Sequence, residues 1–321
     1  MARGGGSLAP LAIGTVGEWV ETWLRDIIEP NRSPSTFALY TAMWHHAKPL
    51  IGSVKLKDFD VPHVESLIAT LRKTKKPTVP AKVANVLKSA FSVAIKRKKY
   101  RLANPFIVVE VQAPRAKDGR ALSIAEAKAF IKAARGTDME ALWILLLTTG
   151  LRLGEALALE WSDIDLRSGS VSVRQSLSEV DGSCEVRETK TKGSRRRVDL
   201  GELAVAALKA RHKPRASGFV FTTSTGGHPR RSNLRQREFV PICEAAKIHG
   251  LTIHGLRHSA TSLALSQGAP VVAVAGMLGH GSSRLVQERY GHTLPTAHRE
   301  ASLAVDRALR GSRAGRRRPI V

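Results

Sequence analysis

The chain has 321 residues, enough for two domain cores, and its 43% hydrophobic content excludes wholesale disorder. Lys and Arg number 51 against 27 acids, a net charge of +24 with a sequence pI near 10.8. Such an excess repels itself in a compact fold and points to a polyanionic partner, nucleic acid first, with a ribosome-associated or membrane-surface protein as the alternative. No apolar run reaches the length of a bilayer span, and "MARGGGSLAP" lacks the apolar region of a secretory signal. Cys184 and Cys243 lie far apart and form no CxxC pair, which suggests neither a disulfide framework nor a zinc site and fits a reducing compartment. A soluble intracellular protein is expected.

Residues 1–13 are Gly-rich and read as disordered. Val16, Trp19, Val20, Trp23, Leu24, Ile27 and Ile28 then share one helical face, with Thr15 and Glu18 as a capping box and Pro30 closing the helix. A second helix is predicted from Pro34 to about Ala47, capped by Ser33. A third begins near Asp60 and carries Val64, Leu67, Ile68 and Leu71. A fourth follows Pro80, with Val83, Leu87, Ala90, Phe91 and Ala94 inward and "KRKKY" at its end. That basic run serves equally as helix-dipole compensation or as a phosphate-facing edge.

"NPFIVVEVQAPRAKDGR" has prolines, a glycine and no helical period, and reads as a linker. Ser123 and Glu126 form the next capping box, and "MEALWILLLTTG" should be a buried helix. After "WSDIDLRSG" the period changes to two. "SVSVRQS" reads as one strand and "CEVRETKTKGSRRRVDL" as two more, joined by a polar, basic turn. From the helix before "SGFVFTT" onward the chain is mainly helical. The fold class is mainly α with a small antiparallel β-sheet (α+β). The predicted division is a disordered start (1–13), a helical domain (14–105), a linker (106–119), a second domain (120–310) and a basic tail (311–321).

"TTGLRLGEAL" places Arg152 just after a turn glycine, with Glu155 three residues on; alone, the pair reads as a helix salt bridge. "TIHGLRHSATSLALSQG" supplies His254 and Arg257, three apart and so on one helical face, while His258 points elsewhere. HExxH is absent, and an arginine inside the cluster repels a cation, so the group suits an anion rather than a metal. "SQGAPVVAVAGMLGH" has the spacing of a helix-turn-helix, a competing DNA-reading interpretation that is weak in polar base readers. An attack on a phosphodiester needs an activated nucleophile, neutralised phosphoryl oxygens and a protonated leaving group. Arginines suit the second task, a tyrosine phenol the first, and a lysine or histidine the third. The chain has only three tyrosines, and one of them, Tyr290, sits in a polar segment.

In this order, "TTGLRLGEAL", a Lys-bearing hairpin, "HGLRHSAT", "LGH" and "ERYGH" resemble the catalytic domain of the tyrosine recombinases, the phage integrase family, over roughly residues 120 to 295. His280 and Tyr290 keep the family's separation of ten. The N-terminal helices, with "SPST" before the second, resemble the family's core-binding domain. The resemblance implies that Arg152 and Arg257 clamp the scissile phosphate, that His254 assists as acid or base, and that His280 hydrogen-bonds a phosphoryl oxygen. It implies that Tyr290 attacks, giving a 3′-phosphotyrosine and a free 5′-hydroxyl, and that Glu155 supports the site indirectly. Of Lys190 and Lys192 in "ETKTKGSRRR", the "KT" that begins this segment in many relatives favours Lys190 as proton donor to the leaving oxygen.

The implied partners are double-stranded DNA recombination sites and a homotetramer assembled on them through a Holliday junction. A host DNA-bending protein or an excisionase are candidate accessory factors. No membrane is implied, and the expected location is the nucleoid of a bacterial cytoplasm. Because the broken bond's energy is kept in the phosphotyrosine, neither ATP nor a metal or other cofactor is expected. The sequence departs from the family pattern at "VDL" (198–200), where many relatives read "VPL", and at Val286, where threonine is frequent. The few residues before Thr15 cannot form an arm-binding domain, so a simple recombination site is expected. A Xer-like dimer resolvase, a transposon recombinase and a non-cutting DNA-binding regulator are the alternatives to a mobile-element integrase.

Overall fold

The computed structural model describes residues 14–97, 103–114, 119–180, 183–188, 195–212 and 218–279, in two compact units built around 14–114 and around 119–279. Lys190, Lys192, His280 and Tyr290 lie outside the described residues.

In the first unit, α1 (Val16–Trp23) starts at the expected capping box: the Glu18 amide donates to Thr15 Oγ1 at 3.2 Å and the Thr15 amide to Glu18 Oε2 at 3.1 Å. Pro30 does not close this helix. The rod continues through a π-type segment, Leu24–Ile28, into Glu29–Asn31. The π-type segment shifts the hydrogen-bond register just ahead of Pro30, which then sits in a first-turn position where its missing N–H is no loss. The second helix, α2 (Pro34–Ile51), also outruns its predicted end near Ala47 and carries Pro49 inside. Met43, Trp44, Ala47 and Ile51 form its buried face, and the packing of Ile51 holds the last turn.

Helices α3 (Val61–Thr74) and α4 (Val79–Lys96) bury the faces read from their spacing. A short α5 (Pro105–Val108) inserts Phe106 into the same core, 5.9 Å from the Phe59 ring and 5.3 Å from Phe91. Asn104 pins this turn by donating from Nδ2 to the Lys88 carbonyl and to Ser92 Oγ, both at 2.9 Å. Residues 106–108, which the predicted division gives to the linker, thus pack with the helical unit. A single aromatic anchor has no periodicity to betray it.

The second unit is built around α7 (Glu140–Thr149), whose residues Ala141–Leu147 are all buried. It is packed between α6 (Ile124–Ala134), α9 (Glu202–Arg211) and α11 (Ile253–Ser266). Gly150 ends α7 and leads into the short α8 (Leu153–Leu157). Helix α10 runs through Arg231–Asn233, a π-type Leu234–Phe239 and Val240–Ala245, and α12 is Val271–Leu278.

Among the described residues there are two sheets instead of one. Strands β1 (Ile164–Asp165), β2 (Ser170–Val173) and β5 (Arg196–Asp199) form an antiparallel sheet in the order β1-β2-β5, while β3 (Gln175–Val180) and β4 (Ser183–Glu188) form a separate ribbon. "SVSVRQS" therefore splits at Arg174, and β5 returns to β2, with Val198 opposite Val171, rather than pairing with β4. Burial drives the split. Val171, Val173 and Val198 close onto the core of this unit, whereas β4 buries no side chain fully.

The helix-turn-helix reading of α11 and α12 finds no support in side-chain character, because the outward positions of α12 are Val272, Ala273 and Gly276. Among the described residues no helix is long and apolar enough to cross a membrane.

Candidate active site

The site begins where α7 ends. Gly150 has φ +64°, and a Cβ there would lie 2.7 Å from Leu278 Cδ2, so both conformation and space call for glycine. The turn buries Leu151 and presents Arg152 at the start of α8. Opposite it, Thr252 caps α11 by accepting from the Gly255 amide at 3.0 Å, which places His254 and Arg257 in the first turns of that helix.

Arg257 is 5% exposed and lies between two helix C-termini. Its Nη1 donates to the Gly150 carbonyl at 2.6 Å and its Nη2 to the Leu278 carbonyl at 2.9 Å. Carbonyls at helix ends carry partial negative charge, so these two acceptors stabilise the buried cation.

Arg152 is held differently. Its Nη1 donates to Glu155 Oε1 at 2.6 Å and its backbone amide to Glu155 Oε2 at 3.0 Å, leaving the side chain 43% exposed. Glu155 is itself buried and also accepts from Arg196 Nη2 at 2.9 Å and Nη1 at 3.3 Å. Burial pushes the Glu155 pKa up, but the hydrogen bonds and charge of Arg196, then Arg152, outweigh it and hold the carboxyl below its ordinary value.

Arg152, His254 and Arg257 line one cavity of about 350 Å³, together with Arg231 and Arg235 from α10. Leu151, Leu153, Thr252 and Ile253 also line it. Four arginines and a histidine, with no acid among the described lining residues, give the cavity the donors and charge that suit an oxyanion. His258 is not among the described residues that line it and packs edge-on to His254, with ring centroids 4.8 Å apart.

The structure thus brings together Arg152, His254 and Arg257, with Glu155 behind them; the predicted Lys190, His280 and Tyr290 lie outside the described residues. Sequence reasoning missed Arg196, Arg231 and Arg235. The i,i+4 spacing of Arg231 and Arg235 was available as a signal. So was the strand alternation that puts Arg196 on the inward face with Val198, where a charge needs a buried partner.

Residues 120–296 match the phage integrase family. The chain belongs to that family. It is accordingly a tyrosine recombinase, one of a family of enzymes that act in site-specific recombination by cleaving and rejoining DNA. This integrase-family chain is 26% identical over 319 aligned residues to a XerC-like tyrosine recombinase of Caldanaerobacter subterraneus subsp. tengcongensis, covering 88% of the chain and 80% of the relative. It is 30% identical over 171 residues to the ICEBs1 integrase of Bacillus subtilis, covering 50% of the chain and 46% of that relative, so the match spans about half of each. Its fold is that of solved integrases. The Tn1549 transposon integrase in complex with a circular intermediate DNA superposes with a TM-score of 0.77 at 18% identity, covering 91% of this chain and 99% of that one. A lambda integrase dimer bound to a COC′ core site gives 0.65 at 17% identity, with coverages of 86% and 77%.

Proposed function

We propose that this recombinase inserts or excises a mobile element by way of a 3′-phosphotyrosine, with Arg152 and Arg257 holding the scissile phosphate. The observation that carries this reading is the convergence of Arg152, His254 and Arg257 on one cationic cavity beside the C-terminal end of α12, from which the chain passes directly to His280. In this reading the Tyr290 phenol oxygen forms a bond to phosphorus as the bond to the 5′-oxygen breaks. The phenolic proton passes to His254, and Lys190 returns a proton to the leaving 5′-oxygen. The two arginines and His280 neutralise the charge that develops on the non-bridging oxygens. A 5′-hydroxyl from another strand then attacks the phosphotyrosine and reseals the DNA. Phosphate-ester energy is conserved throughout, so ATP and metal have no step to serve.

Assembly follows by analogy with the solved lambda integrase tetramer bound to a Holliday junction: four protomers on two double-stranded sites, exchanging strands in pairs. A dimer-resolvase role is the second reading, favoured by the XerC-like relative that matches 88% of the chain.

The test is covalent trapping. Labelled DNA from the flanks of the gene, nicked so that the 5′-hydroxyl fragment escapes, is incubated in EDTA with the wild type and Tyr290→Phe. An SDS-resistant protein–DNA band with the wild type alone supports the reading. Shifted DNA without a covalent band for either protein would leave a binding-only regulator. Comparison of attachment-like and dimer-resolution-like flanks separates the two recombinase roles.

A further inference from the structure

We propose that Arg196 is a positioning residue that locks three pieces of the active site into one register: Glu155 with Arg152, the C-terminal end of α12, and strand β5 itself. The inference rests on the recombinase reading above and names a residue outside its machinery.

The geometry is a chain of buried contacts. Arg196 sits on the inward face of β5, opposite Val173, with its side chain 8% exposed. Two of its nitrogens reach the Glu155 carboxylate, and its Nε donates to the Met277 carbonyl at 2.8 Å. One residue further on, Arg257 takes the Leu278 carbonyl. The path Arg152–Glu155–Arg196–Met277, Leu278–Arg257–Gly150 therefore closes on itself two residues from Arg152.

Gly279 follows at φ +68°, and a Cβ there would lie 2.8 Å from Arg196 Nη1, so the guanidinium is seated against the backbone that leads to residue 280. Strand β5 begins just after residues 189–194, which hold both candidate lysines. A planar, forked cation suits this seat, because its fixed fork reaches both carboxylate oxygens while Nε remains free to donate to the helix-end carbonyl.

The experiment compares the full-length wild type with Arg196→Met, Arg196→Lys and, as a structural control, Val198→Ala, which opens a cavity on the same strand. Cleavage of the nicked substrate is measured per bound protein against pH, and hydrogen–deuterium exchange is followed over 271–279 without DNA. Arg196→Met should slow cleavage about 100-fold while DNA affinity changes less than about threefold. Its acid limb should move to higher pH, because Glu155 stays buried and, among the described residues, keeps the Arg152 contacts as its remaining charged partner. Exchange over 271–279 should quicken, and Arg196→Lys should recover part of the rate. Val198→Ala should lower thermal stability with the acid limb and the 271–279 exchange unmoved. An unchanged acid limb or unchanged exchange in Arg196→Met overturns the proposal. Should the wild type form no covalent complex, the recombinase reading fails, and exchange over 271–279 alone still decides the role of Arg196.

Discussion

The Arg257 guanidinium donates to the Gly150 carbonyl at 2.6 Å, joining the end of α7 to the start of α11 across 107 residues. With the Leu278 carbonyl as its second acceptor, this buried side chain is both a structural clasp and a wall of the cationic cavity. Arg257→Ala leaves two buried carbonyls without that donor, each costing about 1–3 kcal/mol, and should lower stability and abolish covalent complex formation. Arg257→Lys keeps the charge but not the fork. It should recover most of the stability and less of the cleavage, as read by calorimetry and covalent trapping on the same samples.

Gly150→Ala tests the turn that presents Arg152. A left-handed conformation and a contact at 2.7 Å with Leu278 both oppose a methyl group. The expected loss is about 1–3 kcal/mol, a fall in Tm of several degrees for a unit of this size. A Tm unchanged within about 1 °C would mean that the turn has room the geometry denies.

The pH dependence of stability should carry the signature of Glu155. Its folded-state pKa is depressed, so its contribution is complete above the unfolded carboxylate value of about 4.3 and is lost as pH falls through the lower folded value. Glu155→Gln leaves the Arg196 charge buried and should be destabilised on the order of 3 kcal/mol near neutrality. Urea titrations in steps of pH should show the two curves converging in acid. A gap that persists at the lowest pH would assign the loss to packing instead.

Arg231 and Arg235 face the cavity from α10, 4 residues apart in sequence. If DNA phosphates fill the space, each Arg→Ala change should weaken binding to any duplex and reduce the slope of log affinity against log salt by about 1. Fluorescence anisotropy at several salt concentrations reads this directly. Slopes that match the wild type would remove both residues from the DNA-facing surface.

Much of the fold could be read from the amino-acid order, and the reason is local physics. The capping boxes at Thr15–Glu18 and Ser123–Glu126, the buried faces of α3 and α4 and the wholly apolar α7 depend on neighbours within four residues. The ordered motifs around Arg152, His254 and Arg257 were equally legible, because chemistry fixes their residue types. Where sequence reading fell short, distant packing had overridden local signals. Pro30 and Pro49 were absorbed into helices, Phe106 was drawn into an aromatic core, and the strands were divided between two sheets by which of them could bury valines.

The sequence by itself determined which cationic side chains the site has to draw on and in what order they occur. Only the tertiary structure decided how they are held. Glu155 lies 41 residues from Arg196 and Arg257 lies 107 from Gly150, and no periodicity reports a hydrogen bond over such distances. The buried guanidinium of Arg196 has its seat only where the pairing of β5 with β2 and the end of α12 bring its acceptors together, because a charge withdrawn from water needs partners to offset its lost hydration.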